Sequence, residues 1–396
     1  MTIRNKEGRI VAVTHYTKTG HVENYFPVGP ALLWAPFLMV THLAVLAVHH
    51  IDSSVVVDGY SRPYLMTMAL ATALYGFLGL WISFRLARSY FEERWALWAT
   101  IAIWLASPLL AYMYVDPAWP HAHSAFTVAL FFWYWDRTRG TRTGTQWLVL
   151  GLISGLMLDV YFASGVFLMV VLLECMRAYW HAWRERERAS VAVTTWSLHR
   201  SQFIYAAGAL IAFLPTLAAR QVIFGNPLGL GNYSNMAWNW TSPAFWGVLF
   251  SSSHGALLWT PVLIPAVIGL ILFMRREPWT GGIWLSAALA YYYLIAVLPW
   301  WDGSISFGSR YFISLTPLFV LGLAGAFSGF AKWIGNAQAG VQRVAFLTVL
   351  LAIWNIGLLF QWGTGMIAKL DDNVVYNQFR VVPGEMLHAV FSRGDR

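Results

Sequence analysis

Residues 147–173, "WLVLGLISGLMLDVYFASGVFLMVVLL", decide the fold because they fit more than one arrangement in a membrane. Asp159 is the only charged residue in this run. A transmembrane helix needs about 20 apolar residues, so the run is long enough for a single span. It also fits a pair of short helices that turn near Asp159. The two arrangements place the following residues on opposite sides of the membrane, and the basic residues of the connections distinguish them.

Basic residues concentrate in one set of connections. Cytoplasmic loops of membrane proteins carry an excess of Lys and Arg. The rich set comprises Arg85, Arg88, Arg94, Arg137, Arg139, Arg142, Arg177, Arg184, Arg186, Arg188, Arg200, Arg275, Arg276, Lys332 and Arg343. The other internal loops contain only Arg62, Arg220 and Arg310. A single span over residues 147–173 would oppose this bias, so the sequence predicts paired short helices there and places the basic loops in the cytoplasm.

The composition is that of a polytopic membrane protein. Hydrophobic residues make up 58% of the 396 positions and charged residues 11%, against roughly 25% charged in soluble proteins. The net charge of +8 is explained by topology and attraction to anionic lipid, which disfavours nucleic-acid binding. Cys175, the single cysteine, excludes an intramolecular disulfide. Nucleotide-binding motifs, a nucleophile elbow and a cleavable signal peptide are not visible in the sequence.

About ten spans are predicted from Tyr64 onward, in an all-α transmembrane helical bundle. The apolar runs are residues 64–84, 95–115, 125–135, 147–158, 161–173, 203–219, 256–274, 281–301, 311–331 and 344–362. Short helices within a membrane protein are tolerated only against protein or a watery cavity, so the three shortest runs, 125–135, 147–158 and 161–173, indicate a cavity. Residues 31–49 fit either an additional span or an interfacial helix, and the tail 363–396 is predicted to be extracytoplasmic.

Polar and conformationally special stretches fall almost entirely on the predicted outer side. They are residues 58–63, 114–124, 159–164, 224–240, 251–261 and 300–311. Because binding and catalytic residues concentrate on loops carried by a scaffold, chemistry or recognition is predicted at the outer face. Asp58 and Asp116 also suit helix capping and a turn. His121 and His123 are two residues apart, a poor spacing for a helical metal site.

The stretch around Asp302 gives the strongest chemical pairing. Asp302 follows Trp300 and Trp301 and precedes Arg310 by eight residues. Aromatic faces beside a carboxylate suit a sugar, although an interfacial tryptophan belt with a structural ion pair explains the same residues. His254, an ionisable residue in an apolar context, is a functional hypothesis by default.

Several stretches carry a family resemblance. They are "ENYFPVGPALLWAPF" at 23–37, "GLISGLMLDVYFASGVFLMVVLL" at 151–173, "SSSHGALLWTPVLIPAVIGL" at 251–270 and "WWDGSISFGSRYFISLTPLFVLGLA" at 300–324. Together they resemble the GT-C superfamily of integral-membrane glycosyltransferases, which includes protein O-mannosyltransferases and bacterial aminoarabinose transferases. The resemblance implies that residues 1–30 are extracytoplasmic, that 31–49 form an interfacial helix, and that 50–362 form a bundle around an outward-facing cavity.

The resemblance also implies a reaction. A sugar would pass from a polyprenyl-phosphate donor to a lipid, glycan or protein acceptor at the outer face of a bacterial inner membrane. Glu23 and Asp58 are the candidate catalytic acids, because a carboxylate must activate the acceptor hydroxyl. Arg62 and Arg310 are candidates to hold phosphate. His254 is a candidate phosphate donor or ligand of a divalent metal. The other candidate substrate-binding residues are Tyr25, Tyr60, Asp116, His121, Trp300, Trp301, Asp302 and Tyr311.

The sequence departs from that family at its beginning. Members usually start with a transmembrane helix and a loop that carries an essential acid, whereas only 22 residues precede Glu23 here, with Glu7 their only acid. Either the chain is an N-terminally shortened member or its catalytic acid lies elsewhere. The alternative function is a non-catalytic scaffold or carrier-lipid-binding subunit derived from the same fold. A transporter is disfavoured because paired halves are not evident.

Overall fold

The computed structural model describes residues 2–4, 10–13, 15–24, 26–184, 191–229, 236–367 and 374–384. Within these residues the chain begins with a short antiparallel strand pair, β1 (Thr2–Arg4) and β2 (Ile10–Val13). Everything after it is helical or irregular. The sequence analysis did not predict the strand pair, but the all-α bundle it predicted is confirmed.

The helices follow one another with short connections. They are α1 (Gly29–Ile51), α2 (Arg62–Arg88), α3 (Glu93–Leu105), α4 (Leu109–Tyr114), α5 (His121–Thr138), α6 (Gly144–Val160), α7 (Met169–Arg184), α8 (Val191–Phe224), α9 (Phe245–Phe250), α10 (Ala256–Trp259), α11 (Leu263–Arg276), α12 (Pro278–Ala296), α13 (Thr316–Ile334) and α14 (Ala337–Thr364). Short 3-10 segments, Phe162–Leu168 and Arg310–Leu315, precede α7 and α13. A last helical segment covers Val374–Tyr376 and Asn377–Val381.

Six helical segments of the described chain are long and apolar enough to cross a membrane. They are Gly29–Ile51, Arg62–Arg88, Phe162–Arg184, Trp196–Phe224, Arg310–Ile334 and Ala337–Thr364. Every predicted span overlaps a helix or a pair of adjoining helices. The count of ten spans remains a prediction, because several of these helices are shorter than a membrane crossing requires.

The predicted turn near Asp159 is confirmed. Helix α6 ends at Val160, and Tyr161 then adopts an extended backbone with φ −156° and ψ 110°. The chain re-enters a helix only at Phe162, in a 3-10 segment that continues into α7. The run 147–173 is therefore divided between two helices as predicted, but the prediction that the second is short was wrong, because Phe162–Arg184 is long enough to cross a membrane.

Local sequence signals account for several helix ends. Thr143 and Gln146 form a capping box at the start of α6, in which the Gln146 backbone N–H donates to Thr143 Oγ1 at 3.3 Å. Helix α13 is followed by Gly335, with φ 73°, and α14 is followed by Gly365, with φ 75°. Glycine is favoured at such C-terminal positions because the left-handed conformation costs it little.

Small residues let two helix pairs approach closely. Gly151 and Gly155 of α6 face the backbone of α8, where an added Cβ would lie 2.2 Å from the carbonyl oxygens of Tyr205 and Ala209. Between α11 and α13, a Cβ at Gly269 would lie 1.8 Å from the carbonyl oxygen of Gly322. Helix association in membranes depends on such backbone contact, since lipid is as apolar as the side chains it would replace.

Helix α1 lies antiparallel to the half of α2 that begins at Arg62. Near the start of α1, Trp34 Nε1 donates to Thr72 Oγ1 at 2.9 Å, and nearer its end His42 Nδ1 lies 2.8 Å from Tyr64 Oη. The start of α1 packs on α6, where a Cβ at Gly29 would lie 2.4 Å from the Asp159 carbonyl oxygen. Its length and composition also suit a span, so the interfacial placement remains a prediction.

Candidate functional site

Arg310 lies at the centre of a polar and aromatic cluster that follows α12. It opens the 3-10 segment that leads into α13. Its guanidinium carbon lies 4.4 Å from the ring centroid of Trp119 and 5.2 Å from that of Tyr311. Such contacts attract the cation to the aromatic rings without satisfying its hydrogen-bond donors. Its Nε is buried and has no hydrogen-bond partner within the described part of the chain.

His121 shares Trp119 with Arg310. It is the first residue of α5 and is 1% exposed. Its ring stacks on Trp119 at 6.1 Å and makes edge contacts with Tyr112 at 4.9 Å and Tyr161 at 5.5 Å. Both ring nitrogens are buried, with no hydrogen-bond partner among the described residues. Tyr112 and Tyr161 also lie close enough to Arg310 to interact electrostatically. We call Arg310, His121, Trp119, Tyr112, Tyr161 and Tyr311 the Arg310 cluster.

His254 approaches this cluster from the loop between α9 and α10. Its ring lies 4.8 Å from that of Trp259, and its backbone is left-handed, with φ 61°. Burial lowers the pKa of His254; the backbone and carboxylate of nearby Asp302 oppose this, and Arg310 reinforces it. Ser304, two residues beyond Asp302, is the other non-glycine residue with positive φ in the described chain. Such conformations cost free energy and concentrate at functional sites.

Hydrogen bonds fasten the 300–311 loop to the bundle. The Tyr112 hydroxyl accepts from the Phe307 backbone N–H at 3.1 Å and lies 3.3 Å from the Phe307 carbonyl oxygen, to which it donates. The Tyr311 hydroxyl donates to the Trp300 carbonyl oxygen at 3.0 Å. Asp302 Oδ1 accepts from the Ser304 backbone N–H at 3.1 Å. The loop that carries Asp302 and Arg310 is therefore a fixed part of the scaffold.

The structure brings together several residues predicted from the sequence. His121, Arg310 and Tyr311 belong to the Arg310 cluster, and Asp302 and His254 adjoin it. Asp116 lies close enough to Tyr112 to interact with it electrostatically. The two neighbouring tryptophans differ in burial. Trp301 packs over Gly247, whereas Trp300 is 56% exposed. The predicted role of each of these residues in substrate binding remains a prediction.

Asp58, Tyr60 and Arg62 lie together at the start of α2. Asp58 Oδ1 accepts from the backbone N–H groups of Tyr60 and Ser61, each at 2.8 Å, and these bonds lower the pKa of the exposed Asp58 carboxyl. These bonds form a turn before α2, whose N-cap residue is Ser61, so the helix-capping role that the sequence allowed for Asp58 is wrong. Tyr60 is 81% exposed. These residues follow the end of α1, whereas Gly29 lies at its start. The 23 residues of α1 span about 34 Å, and this length separates the two ends.

Glu23 belongs to the segment that leads into α1. It is partly exposed, and its backbone N–H donates to the His15 carbonyl oxygen at 2.8 Å. The same segment contacts α8, where the Val28 N–H donates to Thr216 Oγ1 at 3.3 Å. It also reaches the Arg310 cluster, since Phe26 meets Trp119 edge-on at 6.4 Å. Tyr25 lies outside the described residues.

Sequence reasoning missed Trp119, Tyr112, Tyr161 and Asp159 as individual site residues. Apart from Tyr112, they fall in stretches singled out for their polar and aromatic content, which was the available signal. Asp159 is fully buried, lies beside Thr216, and sits under Gly29 at the start of α1. A buried carboxylate near a helix N-terminus benefits from the positive end of the helix dipole.

The described residues contain no group of three or more His, Cys, Asp or Glu side chains arranged to hold a metal ion. His254 has one carboxylate near it, that of Asp302. A divalent metal at His254 therefore remains a prediction that rests on the family resemblance.

The fold is similar to that of a solved structure of the archaeal oligosaccharyltransferase AglB from Archaeoglobus fulgidus, in complex with an inhibitory peptide and a dolichol-phosphate. The match has a TM-score of 0.50 at 13% identity and covers 89% of this chain. The chain has a GT-C-like fold. It covers 49% of the AglB chain, about half its length, so the GT-C likeness shows the fold alone. Comparison of the sequence with family models and with curated proteins gave no match.

Proposed function

We propose that the protein transfers a sugar from a polyprenyl-phosphate-linked donor to a lipid, glycan or protein acceptor at the outer face of a bacterial inner membrane. The observation that carries the proposal is Arg310, whose guanidinium lies against Trp119 and Tyr311 with a buried, unpartnered Nε. The GT-C-like fold supports it, as does the solved AglB complex, which contains a dolichol-phosphate.

Arg310 is suited to bind the donor phosphate. A guanidinium presents several N–H donors in a plane and pairs with phosphate oxygens through parallel hydrogen bonds. The adjacent His121 adds ring nitrogens that have no partner in the described chain. These groups would stabilise the charge that develops on the phosphate as it leaves. The aromatic rings of the cluster give a sugar or an isoprenoid a surface to stack on.

The reaction also needs a base. In the proposed step the acceptor hydroxyl loses its proton to a carboxylate, its oxygen bonds to the anomeric carbon, and the phosphate leaves with the electrons of the broken C–O bond. Glu23 and Asp58 are the acids that the family resemblance proposes. Asp302 is the carboxylate that interacts with both His254 and Tyr311, beside Arg310. We propose it as a third candidate for the base.

The rate of sugar transfer by the Arg310→Gln variant tests the proposal. The purified protein is assayed with polyprenyl-phosphate mannose, glucose and aminoarabinose as donors, and transfer is followed by loss of the carrier-linked sugar. Removing one preorganised donor from a developing charge costs about 100-fold in rate, so a loss of that size is expected. Arg343→Gln is the control, because Arg343 is exposed on α14. Equal rates for Arg310→Gln and the control would contradict the proposal.

A non-catalytic subunit that binds carrier lipid is the second candidate function. The position of Asp58 favours it, because that carboxylate is exposed and held in a turn before α2. Such a subunit would bind polyprenyl phosphate through Arg310 without turnover. Binding by the wild-type protein that Arg310→Gln abolishes, together with no transfer from any of the three donors, would select this function.

A further inference from the structure

A groove opens at the start of α12, at the opposite end of that helix from the 300–311 loop. It lies between α7 and α12 and has a volume of about 400 Å³. Its apolar walls come from Leu173, Met274, Trp279, Ile283, Leu285 and Leu289, and we call it the α7–α12 groove. The volume falls in the range of roughly 300 to 1,000 Å³ that small-molecule sites occupy. The 19 residues of α12, about 28 Å of helix, separate it from the loop that carries Arg310.

One arginine contacts a wall of this groove, and a second is adjacent in sequence to a lining residue. The guanidinium carbon of Arg177, one helical turn after Leu173, lies 4.0 Å from the ring centroid of Trp279. Arg275 follows Met274 at the end of α11 and is exposed. Neither arginine makes a salt bridge within the described part of the chain. The groove therefore combines an apolar interior with exposed positive charge at one edge.

Nearby arginines are committed to other contacts. Arg142 is 1% exposed and pairs with Glu174 at 2.6 Å. Arg276 lies over the ring of Phe91, at 5.5 Å from its centroid. Arg177 and Arg275 differ from Arg142 in being exposed beside the apolar cavity, and Arg177 Nε also donates to His181 Nε2 at 3.3 Å. A basic pocket between transmembrane helices on the basic side of a protein suits an anionic lipid headgroup.

We propose that the α7–α12 groove is a binding site for an anionic phospholipid. One acyl chain lies between Leu173 and Leu289, and the phosphate pairs with Arg177 and Arg275. The Trp279 indole lies at the level of the headgroup, where tryptophan is favoured. Ser286, which also lines the groove, offers a hydroxyl to an ester carbonyl. The site is separate from the Arg310 cluster and does not depend on sugar transfer.

Native mass spectrometry of the purified protein tests the proposal. The protein is titrated with phosphatidylglycerol and, separately, with phosphatidylcholine of the same acyl chains. Phosphatidylglycerol is expected to bind more tightly, and Arg177→Gln and Arg275→Gln are each expected to weaken it about fivefold. Arg276→Gln is the matched control, because it removes the same charge from the neighbouring position and should leave binding unchanged.

A second variant blocks the groove without changing its charge. A Cβ added at Gly282, a lining residue, meets no atom within 4 Å, so Gly282→Leu fills the cavity without a backbone clash. It should lower phosphatidylglycerol binding while the size-exclusion profile stays that of the wild type. Equal binding of both phospholipids, or unchanged binding by Gly282→Leu, would overturn the proposal. Displacement of phosphatidylglycerol by an equal concentration of polyprenyl phosphate would assign the groove to the carrier lipid instead.

Discussion

At the scale of single residues, the Arg310 cluster is built from side chains that are far apart in the sequence. Trp119 precedes α5, Tyr161 follows α6, and Arg310 precedes α13, yet Trp119 and Tyr161 both contact His121. Both ring nitrogens of His121 and Nε of Arg310 are buried without a hydrogen-bond partner among the described residues. Burying such groups unpaired costs free energy, and a ligand that supplies acceptors would recover it. This is the residue-level reason to assign the cluster to an oxyanion.

Tyr112→Phe should destabilise the protein by about 2 kcal/mol, because it leaves a buried N–H and a buried carbonyl of Phe307 unpaired. Thermal unfolding in detergent, followed by tryptophan fluorescence, measures the change. Tyr293→Phe is the matched control, since that hydroxyl also donates to a backbone carbonyl, at 3.0 Å from Trp240, but Tyr293 is 37% exposed. An equal loss of stability in Tyr112→Phe and Tyr293→Phe would contradict this explanation.

The stability of the protein should depend on pH through His254. Because burial lowers the pKa of His254 below its usual value of 6.5, the unfolded chain binds more protons than the folded one as the pH falls below that value. Stability should therefore decrease as the pH falls from about 6.5. His254→Asn should lessen this dependence by the contribution of His254, since asparagine tolerates the left-handed backbone without titrating. The melting temperatures of both proteins are measured from pH 5 to 8. The same slope of melting temperature against pH in both proteins would contradict this prediction.

At the scale of elements, direct backbone contact holds α11 against α13. Gly269 and Gly322 face each other with no room for a Cβ on either. The two helices also carry the site, because the chain runs from His254 through α10 into α11, and from Arg310 into α13. An element that both stabilises the bundle and positions functional residues should be sensitive to a single added methyl group.

Gly269→Ala should cost about 1 to 3 kcal/mol of stability, because its Cβ would overlap the Gly322 carbonyl and force the helices apart. Chemical denaturation in detergent micelles gives the free energy of unfolding. Gly329→Ala, on the partner helix α13, is the control: no atom lies within 4 Å of its added Cβ. That variant should be neutral or slightly stabilising, since alanine favours helix. Equal losses at both positions would show that helix spacing is not the cause.

At the scale of the whole molecule, apolar runs and charge bias predicted most of the architecture. Each predicted span overlaps a helix, and the turn near Asp159 lies where the arginines placed it. These features depend on local composition and on topology, which a single sequence records. The stretches predicted to lie on the outer side also contain His121, His254, Asp302 and Arg310, and the structure brings these residues together.

The remaining features depend on long-range contacts that the sequence does not encode locally. Nothing in the spacing of residues predicts that Trp119 meets both His121 and Arg310. The left-handed backbone at His254 could not be predicted either, because glycine follows it and is the usual residue for that conformation. The sequence position of Asp58 suggested a helix cap, but its carboxylate accepts from Tyr60 and Ser61, which precede α2, and only the geometry shows this.

The glycine contact between α11 and α13 has a consequence for how the protein meets a ligand. His254 leads through α10 into α11, and Arg310 leads into α13, so the segments that carry these side chains continue into helices whose spacing is set by the closest approach of two peptide backbones. That distance cannot shrink further, and widening it would break the bundle. Under the proposed function, a ligand of the Arg310 cluster would therefore meet a scaffold whose helix spacing is set before binding.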